Sequence, residues 1–353
     1  MYAEHSVGLV PGHLNEVPAV TRALGYATHA VHLLSRHPSL VLAAVAMGVL
    51  GMVDARGAGY LIFHDTGWGR DIRAWDAARI ERHRDDPRLK EMQERSQRAM
   101  RNLPWAGVAV PSPPRVDLGN SIGFLLALSY GAGGRVPAGE PRTYGAYDLL
   151  ISPVRFLLPW LIGAVTTAGY LRVLWEAVRR DRPRWRVFLA PGWGTWWRLG
   201  VFMSAIGALV GGGAALAIAG PALAPMGIVV GYLGLPVSLL LALTPFVIVV
   251  GRTGVFHAVR ISARMVVASL PTALVLTIGA GVLSWLAFRF APTYHMARVA
   301  DWEAGTRSLV GLPLDATLQG VATAIAAWYS AAMMIWYDGV TGRPVAPDSP
   351  ALC

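Results

Sequence analysis

Five stretches of this chain, Leu149–Trp175, Trp197–Gly220, Met226–Val250, Met265–Phe290 and Leu314–Trp336, are apolar, and none carries Asp, Glu, Lys or His at its centre. A helix rises about 1.5 Å per residue, so a hydrocarbon core about 30 Å thick needs about 20 such residues, which each stretch supplies. No water reaches that depth to bind free peptide groups, so stretches like these satisfy their backbone as membrane-spanning helices. A sixth stretch, Ser39–Val53, is shorter; it either spans by drawing on His37-Pro38 and Ala55–Phe63 or inserts only in part. The expected fold class is all-α: a polytopic membrane helix bundle of about six transmembrane helices. Composition agrees, with 54% hydrophobic and 15% charged residues in a chain of 353, where a soluble domain carries about a quarter charged.

Arginine sets the orientation. The net charge is +10 and Lys90 is the only lysine. In a membrane protein such a balance points to cytoplasmic loops facing anionic lipid rather than to nucleic acid. The connection between the second and third stretches holds Arg172, Arg179, Arg180, Arg182, Arg184, Arg186 and Arg198 against Glu176 and Asp181. The one before the fifth holds Arg252, Arg260 and Arg264 with no acid. Both are therefore expected in the cytoplasm. The alternate connections agree, since Gly220–Met226 is uncharged and Arg289–Asp315 balances Arg289, Arg298 and Arg307 with Asp301, Glu303 and Asp315.

The organisation that follows has both termini inside. Residues 1–36 form a cytoplasmic or interfacial helix, 37–55 the first transmembrane helix, and 56–147 a partly helical extracytoplasmic insertion. Residues 148–340 form the five-helix remainder and 341–353 a cytoplasmic tail. The expected location is the cell inner membrane, with the first span retained as an anchor because no signal-peptide pattern precedes it. In the insertion, Leu89, Met92, Ala99, Met100 and Leu103 recur at helical spacing within Asp71–Asn102, predicting an amphipathic helix. Pro104–Pro114 reads as turns, and Ile122–Tyr130 is apolar but too short to span.

Glycines four apart bare one helix face and let backbones approach, so Gly207, Gly211, Gly212 and Gly213 are the expected helix-packing residues. Prolines at 153, 159, 225, 236, 245 and 271 remove backbone donors inside or beside the spans. Broken helices of this kind occur at transporter sites, though proline is also common in ordinary spans.

Chemistry is sparse. Proton relays and ion-coupled carriers need ionisable groups at mid-membrane, and their absence here argues against that class. His29 and His32 stand at i, i+3 and could hold a metal or haem iron, as could His64 beside Asp65, but further ligands are lacking and an amphipathic surface helix, Val17–Arg36, accounts for the first pair. No metal and no cofactor is predicted. The sole cysteine, Cys353, excludes an intrachain disulfide. No phosphate loop, dinucleotide fingerprint, nucleophile elbow or metalloprotease pattern is present, so no catalytic residue is named. The most specific feature is cytoplasmic: Arg179, Arg180, Arg182, Arg184 and Arg186 interleave with Trp185, and Trp196 and Trp197 follow. Guanidinium meets phosphate and indole sits at headgroup depth, which suits lipid anchoring or, less simply, a docked partner protein.

His37-Pro38-Ser39-Leu40 enters the first span; Gly169-Tyr170-Leu171-Arg172 with Trp175 and Ala177 leaves the second; Gly254-Val255, Ala258, Arg260 and Ser262 precede the fifth; Tyr337-Asp338 closes the sixth. In this order of features the chain resembles a loose class of bacterial six-helix membrane proteins, similar to the membrane region of some glycerophosphoryl diester phosphodiesterases and to related domains of unknown function. The resemblance covers 37–55 and 148–340, implies six helices, and implies no activity, because the phosphodiesterase catalytic domain has no counterpart. The functional expectation is a non-catalytic membrane subunit or scaffold that packs against another membrane protein or complex. The alternatives are a transporter or permease component for a lipid-like or apolar solute, and a cofactor-bearing subunit of an electron-transfer or light-harvesting complex.

Overall fold

A computed structural model of the chain describes residues 18–65, 113–116, 146–218, 236–289 and 311–341, and every regular element among them is helical. In order they are α1 (Ala19–Arg36), α2 (Pro38–Asp65), α3 (Ala146–Arg180), a 3-10 turn at Trp185–Val187, α4 (Gly192–Ile218), α5 (Thr244–Gly251), α6 (Val255–Ala268), α7 (Leu270–Arg289) and α8 (Gly311–Thr341). The expected features at Asp71–Asn102, Ile122–Tyr130 and the 342–353 tail lie outside the described residues. Among those described, the Ala316–Thr341 part of α8 is by itself long and apolar enough to cross a membrane. Two further spans qualify if helices meeting at a sharp elbow are joined: α1 with Pro38–Gly51 at 90°, and α6 with Leu270–Ser284 at 97°.

Proline makes both elbows. Pro38 opens α2, and its ring disfavours helical geometry at His37, which sits at φ −125° and ψ 67°. Pro271 stands in the first turn of α7, where its missing N–H costs nothing, but it could not continue α6. The chain turns at Ser269, whose N–H still bonds the Met265 carbonyl at 3.1 Å. Met265–Ala268, expected inside the fifth span, therefore belong to the preceding helix. α2 also continues past residue 55, through Asp54 and Arg56 to Asp65.

The fourth apolar stretch is a broken helix. Its described part, Pro236–Gly251, is interrupted at residues 241–243. Pro245 has no N–H to give Leu241, so the Leu241 carbonyl takes the Thr244 N–H instead at 2.9 Å. That leaves the Leu240 carbonyl free, and Ser262 of α6 donates its hydroxyl to it at 2.7 Å.

α8 packs against α1, α2, α7 and α3, and α3 packs against α4 and α5. α1 lies across α8 and α7, burying Ala23, Tyr26, Ala30, Leu33 and Leu34. Trp328 of α8 donates its indole N–H to the Ala27 carbonyl at 3.1 Å. Among the described side chains, close approaches occur at three glycines: Gly48 faces Thr323, Gly200 faces the Trp160 ring, and a Cβ on Gly169 would stand 2.7 Å from the Phe188 carbonyl oxygen. Gly207, Gly211, Gly212 and Gly213 lie within α4, where their surroundings are outside the described side chains.

One piece of the insertion reaches the helices. Val116 donates its N–H to Thr166 Oγ1 at 3.1 Å, and Thr167 donates to the Pro114 carbonyl at 3.4 Å, so 113–116 docks within the Leu149–Trp175 stretch rather than standing off in a loop. Irregular backbone survives against such a helix when its polar groups are satisfied, and the Val116 N–H and the Pro114 carbonyl are.

Candidate functional site

The arginine-rich connection is the hub of a polar network that gathers the ends of distant helices. At the end of α3, Arg172, Glu176 and Arg180 share one face; Glu176 Oε1 lies 3.4 Å from Arg172 and Oε2 lies 3.2 Å from Arg180. Glu176 is buried, so the two guanidinium groups supply the charge compensation that a desolvated carboxylate requires. On the next face, Arg179 donates from both Nε and Nη2 to Asp338 Oδ1 of α8, at 3.0 and 2.9 Å. The same guanidinium lies 4.4 Å from the Trp175 ring centre, and Trp175 in turn meets Tyr337 at 6.1 Å. A desolvated stack of this kind strengthens a cation–π contact.

Asp181 follows in the left-handed region at φ 49°, which aspartate tolerates as it closes α3. Its carboxylate reaches back to the α1–α2 elbow, 3.4 Å from Arg36 and 3.3 Å from His37. Arg198 of α4 donates at 2.7 Å to the carbonyl of Arg252, the left-handed residue that closes α5. A Cβ on Gly251, the last residue of α5, would stand 3.9 Å from the Tyr337 hydroxyl, which brings this pair beside the rest. The start of α2, the ends of α3, α5 and α8, and the start of α4 thus meet at one polar pole.

The expected contact residues separate into two groups. Half-buried Arg179 and exposed Arg180 pair with the carboxylates of Asp338 and Glu176, whereas Arg182, Arg184 and Arg186 lie on the exposed turn with no ion pair among the described residues. Trp185 and Trp197 are exposed, and Trp196 packs against the core. Trp197 stacks on Trp193, which is 62% exposed, and meets Trp160 edge-on at 5.1 Å. Trp160, absent from the expected set, donates its N–H to the Gly200 carbonyl at 2.7 Å. Aromatic composition marks Trp160 as an anchor candidate, but only the α3–α4 packing shows which tryptophan it joins. Asp338 was equally invisible, because nothing in the sequence pairs it with a residue 159 positions away.

The histidines do not converge. His29 and His32 line a shallow open depression on α1 together with Gly25, Thr28 and Arg36. His37 faces Asp181 instead, and His64 lies in α2 outside the described side chains. Among the described residues no three metal-ligating side chains come together. Beneath this face, burial pushes the Tyr26 phenol up, against a smaller opposing pull from Arg22, so it stays neutral. No model of a known family, no curated protein and no solved structure matches the chain.

Proposed function

We propose that the chain is a non-catalytic, multi-pass subunit of the cell inner membrane: a six-helix scaffold, both termini in the cytoplasm, that packs against another membrane protein or complex. The single observation that carries this reading is the polar pole. α2 departs from it, α3 returns, α4 departs, α5 returns and α8 returns, with α6 leading away to α7. Alternate departure and return is how successive spans traverse a bilayer. Glu176 at the pole is buried and Asp338 half-buried, while Arg182, Arg184 and Arg186 are exposed, which supports placing it on the cytoplasmic side. The resemblance to six-helix membrane proteins adds to the same reading.

The break at 241–243 favours a permease as a second reading, since such breaks present free carbonyls to solutes. Here the freed Leu240 carbonyl is already taken by Ser262, which ranks the scaffold ahead.

Cysteine mapping tests the topology in a Cys353→Ser background. A membrane-impermeant maleimide added to intact spheroplasts is expected to label Thr306→Cys, and to label Arg184→Cys only after permeabilisation; the reverse pattern overturns the orientation. Gentle detergent extraction followed by mass analysis tests the scaffold role, which a stable lone monomer would refute.

A further inference from the structure

Two amphipathic helices, α1 and α6, each end in a near-right-angle elbow into an apolar helix. Successive residues step about 100° around a helix, which divides each of the two lengthwise into three strips. On α1 the first strip, Ala23 to Leu34, is buried on the neighbouring helices. The second is apolar yet exposed: Val20, Leu24 and Val31. The third is polar and exposed, carrying His29, His32 and Arg36. On α6, Ala258, Ser262 and Val266 are buried, Phe256 and Val267 stand 92% and 63% exposed, and His257, Arg260 and Arg264 form the polar exposed strip.

A helix at a water boundary in solution has two faces, one buried and one wet. A helix docked on a bundle at the surface of a bilayer has three, because acyl chains take one exposed side and headgroups the other. The exposed apolar strips also continue past the elbows, to Leu42 and Leu50 on α2 and to Leu270, Leu274 and Ile278 on α7. Neither α1 nor α6 contains an acidic residue. That leaves the α6 strip complementary to an anionic surface, and the α1 strip as well save that Arg36 also meets Asp181 at 3.4 Å.

Resting on the six-span reading above, we propose that α1 and α6 are in-plane helices of the cytoplasmic leaflet whose partner is anionic phospholipid. Each dips its apolar strip among the acyl chains. Each holds its basic strip, Arg260 and Arg264 above all, against headgroup phosphates. The His29–His32 pair is then a surface feature of the headgroup layer rather than a ligand set.

The test uses the full chain carrying Cys353→Ser, with single cysteines at Val31, Val267, His32, Arg264 or Ile278 bearing a fluorophore, in phosphatidylcholine nanodiscs with or without phosphatidylglycerol. Probes at Val31 and Val267 are expected to be quenched by lipids brominated high on the acyl chain and shielded from aqueous iodide, with the reverse at His32 and Arg264. Ile278 on α7 reports the underlying reading. If lipid quenches Ile278 while Val31 and Val267 stay open to iodide, the in-plane inference falls and the six-span reading survives. If Ile278 is not quenched, the six-span reading itself falls. A basic residue near an anionic surface contributes about fivefold in affinity, so Arg260→Gln with Arg264→Gln is expected to lower the phosphatidylglycerol-to-phosphatidylcholine ratio retained in mass spectra about 25-fold. An unchanged ratio overturns the headgroup assignment.

Discussion

Arg179, in the last turn of α3, and Arg184, on the turn that follows, have opposite fates. Arg179 is drawn inward, where Asp338 and the Trp175 ring enclose it. Arg184 lies on an exposed turn with no ion pair among the described residues. The same side chain is structural glue in one place and surface charge in the other. What separates them is the helix end: α3 continues to Arg180, so Arg179 still projects from a packed helix, whereas Arg184 comes after the left-handed Asp181 has turned the chain away. A charge total for the loop averages over that divide.

Substitutions can break or sharpen the contrast. The largest expected effect is at Asp338: Asp338→Ala removes the carboxylate that accepts two hydrogen bonds from the half-buried Arg179 guanidinium and is expected to destabilise the fold by about 3 kcal/mol. Denaturant unfolding in detergent measures it, and a loss below about 0.5 kcal/mol, the range of an exposed pair, would erase the distinction between the two arginines. Gly169→Ala comes next, because its methyl would collide with the Phe188 backbone and displace the turn that exposes Arg184. Overpacking of this kind costs about 1–3 kcal/mol, read from the same unfolding curves. Ser262→Ala removes the only partner shown for the Leu240 carbonyl, at an expected cost of about 1–2 kcal/mol. The smallest effect on stability belongs to the outward group. The triple variant Arg182→Gln, Arg184→Gln, Arg186→Gln is expected to unfold within about 0.5 kcal/mol of the parent, while its binding to phosphatidylglycerol vesicles weakens.

How far the sequence could be read follows the same divide between local and distant causes. Apolar run length located α3, α4, α7 and α8, because helix formation in such runs depends on the run itself. The amphipathic pattern of Val17–Arg36 likewise foretold α1. Proline chemistry was legible only in part: the donor loss at Pro271 was visible, but that it would turn the chain by 97° depended on what α6 packs against. The close approaches at Gly48, Gly169 and Gly200 are not legible in sequence, because each is isolated there and is defined by a partner distant in the chain, Thr323, Phe188 or Trp160. The arginine cluster was found by counting, but its division between inward and outward residues needed Glu176 and Asp338 in three dimensions.

The length of α3 has a mechanical consequence. At 35 residues it measures about 52 Å, some 20 Å more than a hydrocarbon core. A bare excess of that size would force the helix to tilt or the bilayer to thicken. Here Tyr170, Leu171, Val173, Leu174 and Ala177 have no exposed surface, so the last turns of the helix are already sheathed in protein. If α3 spans the bilayer as proposed, thinner and thicker membranes meet the same wrapped mast, and α3 can keep its angle while the lipid around it changes.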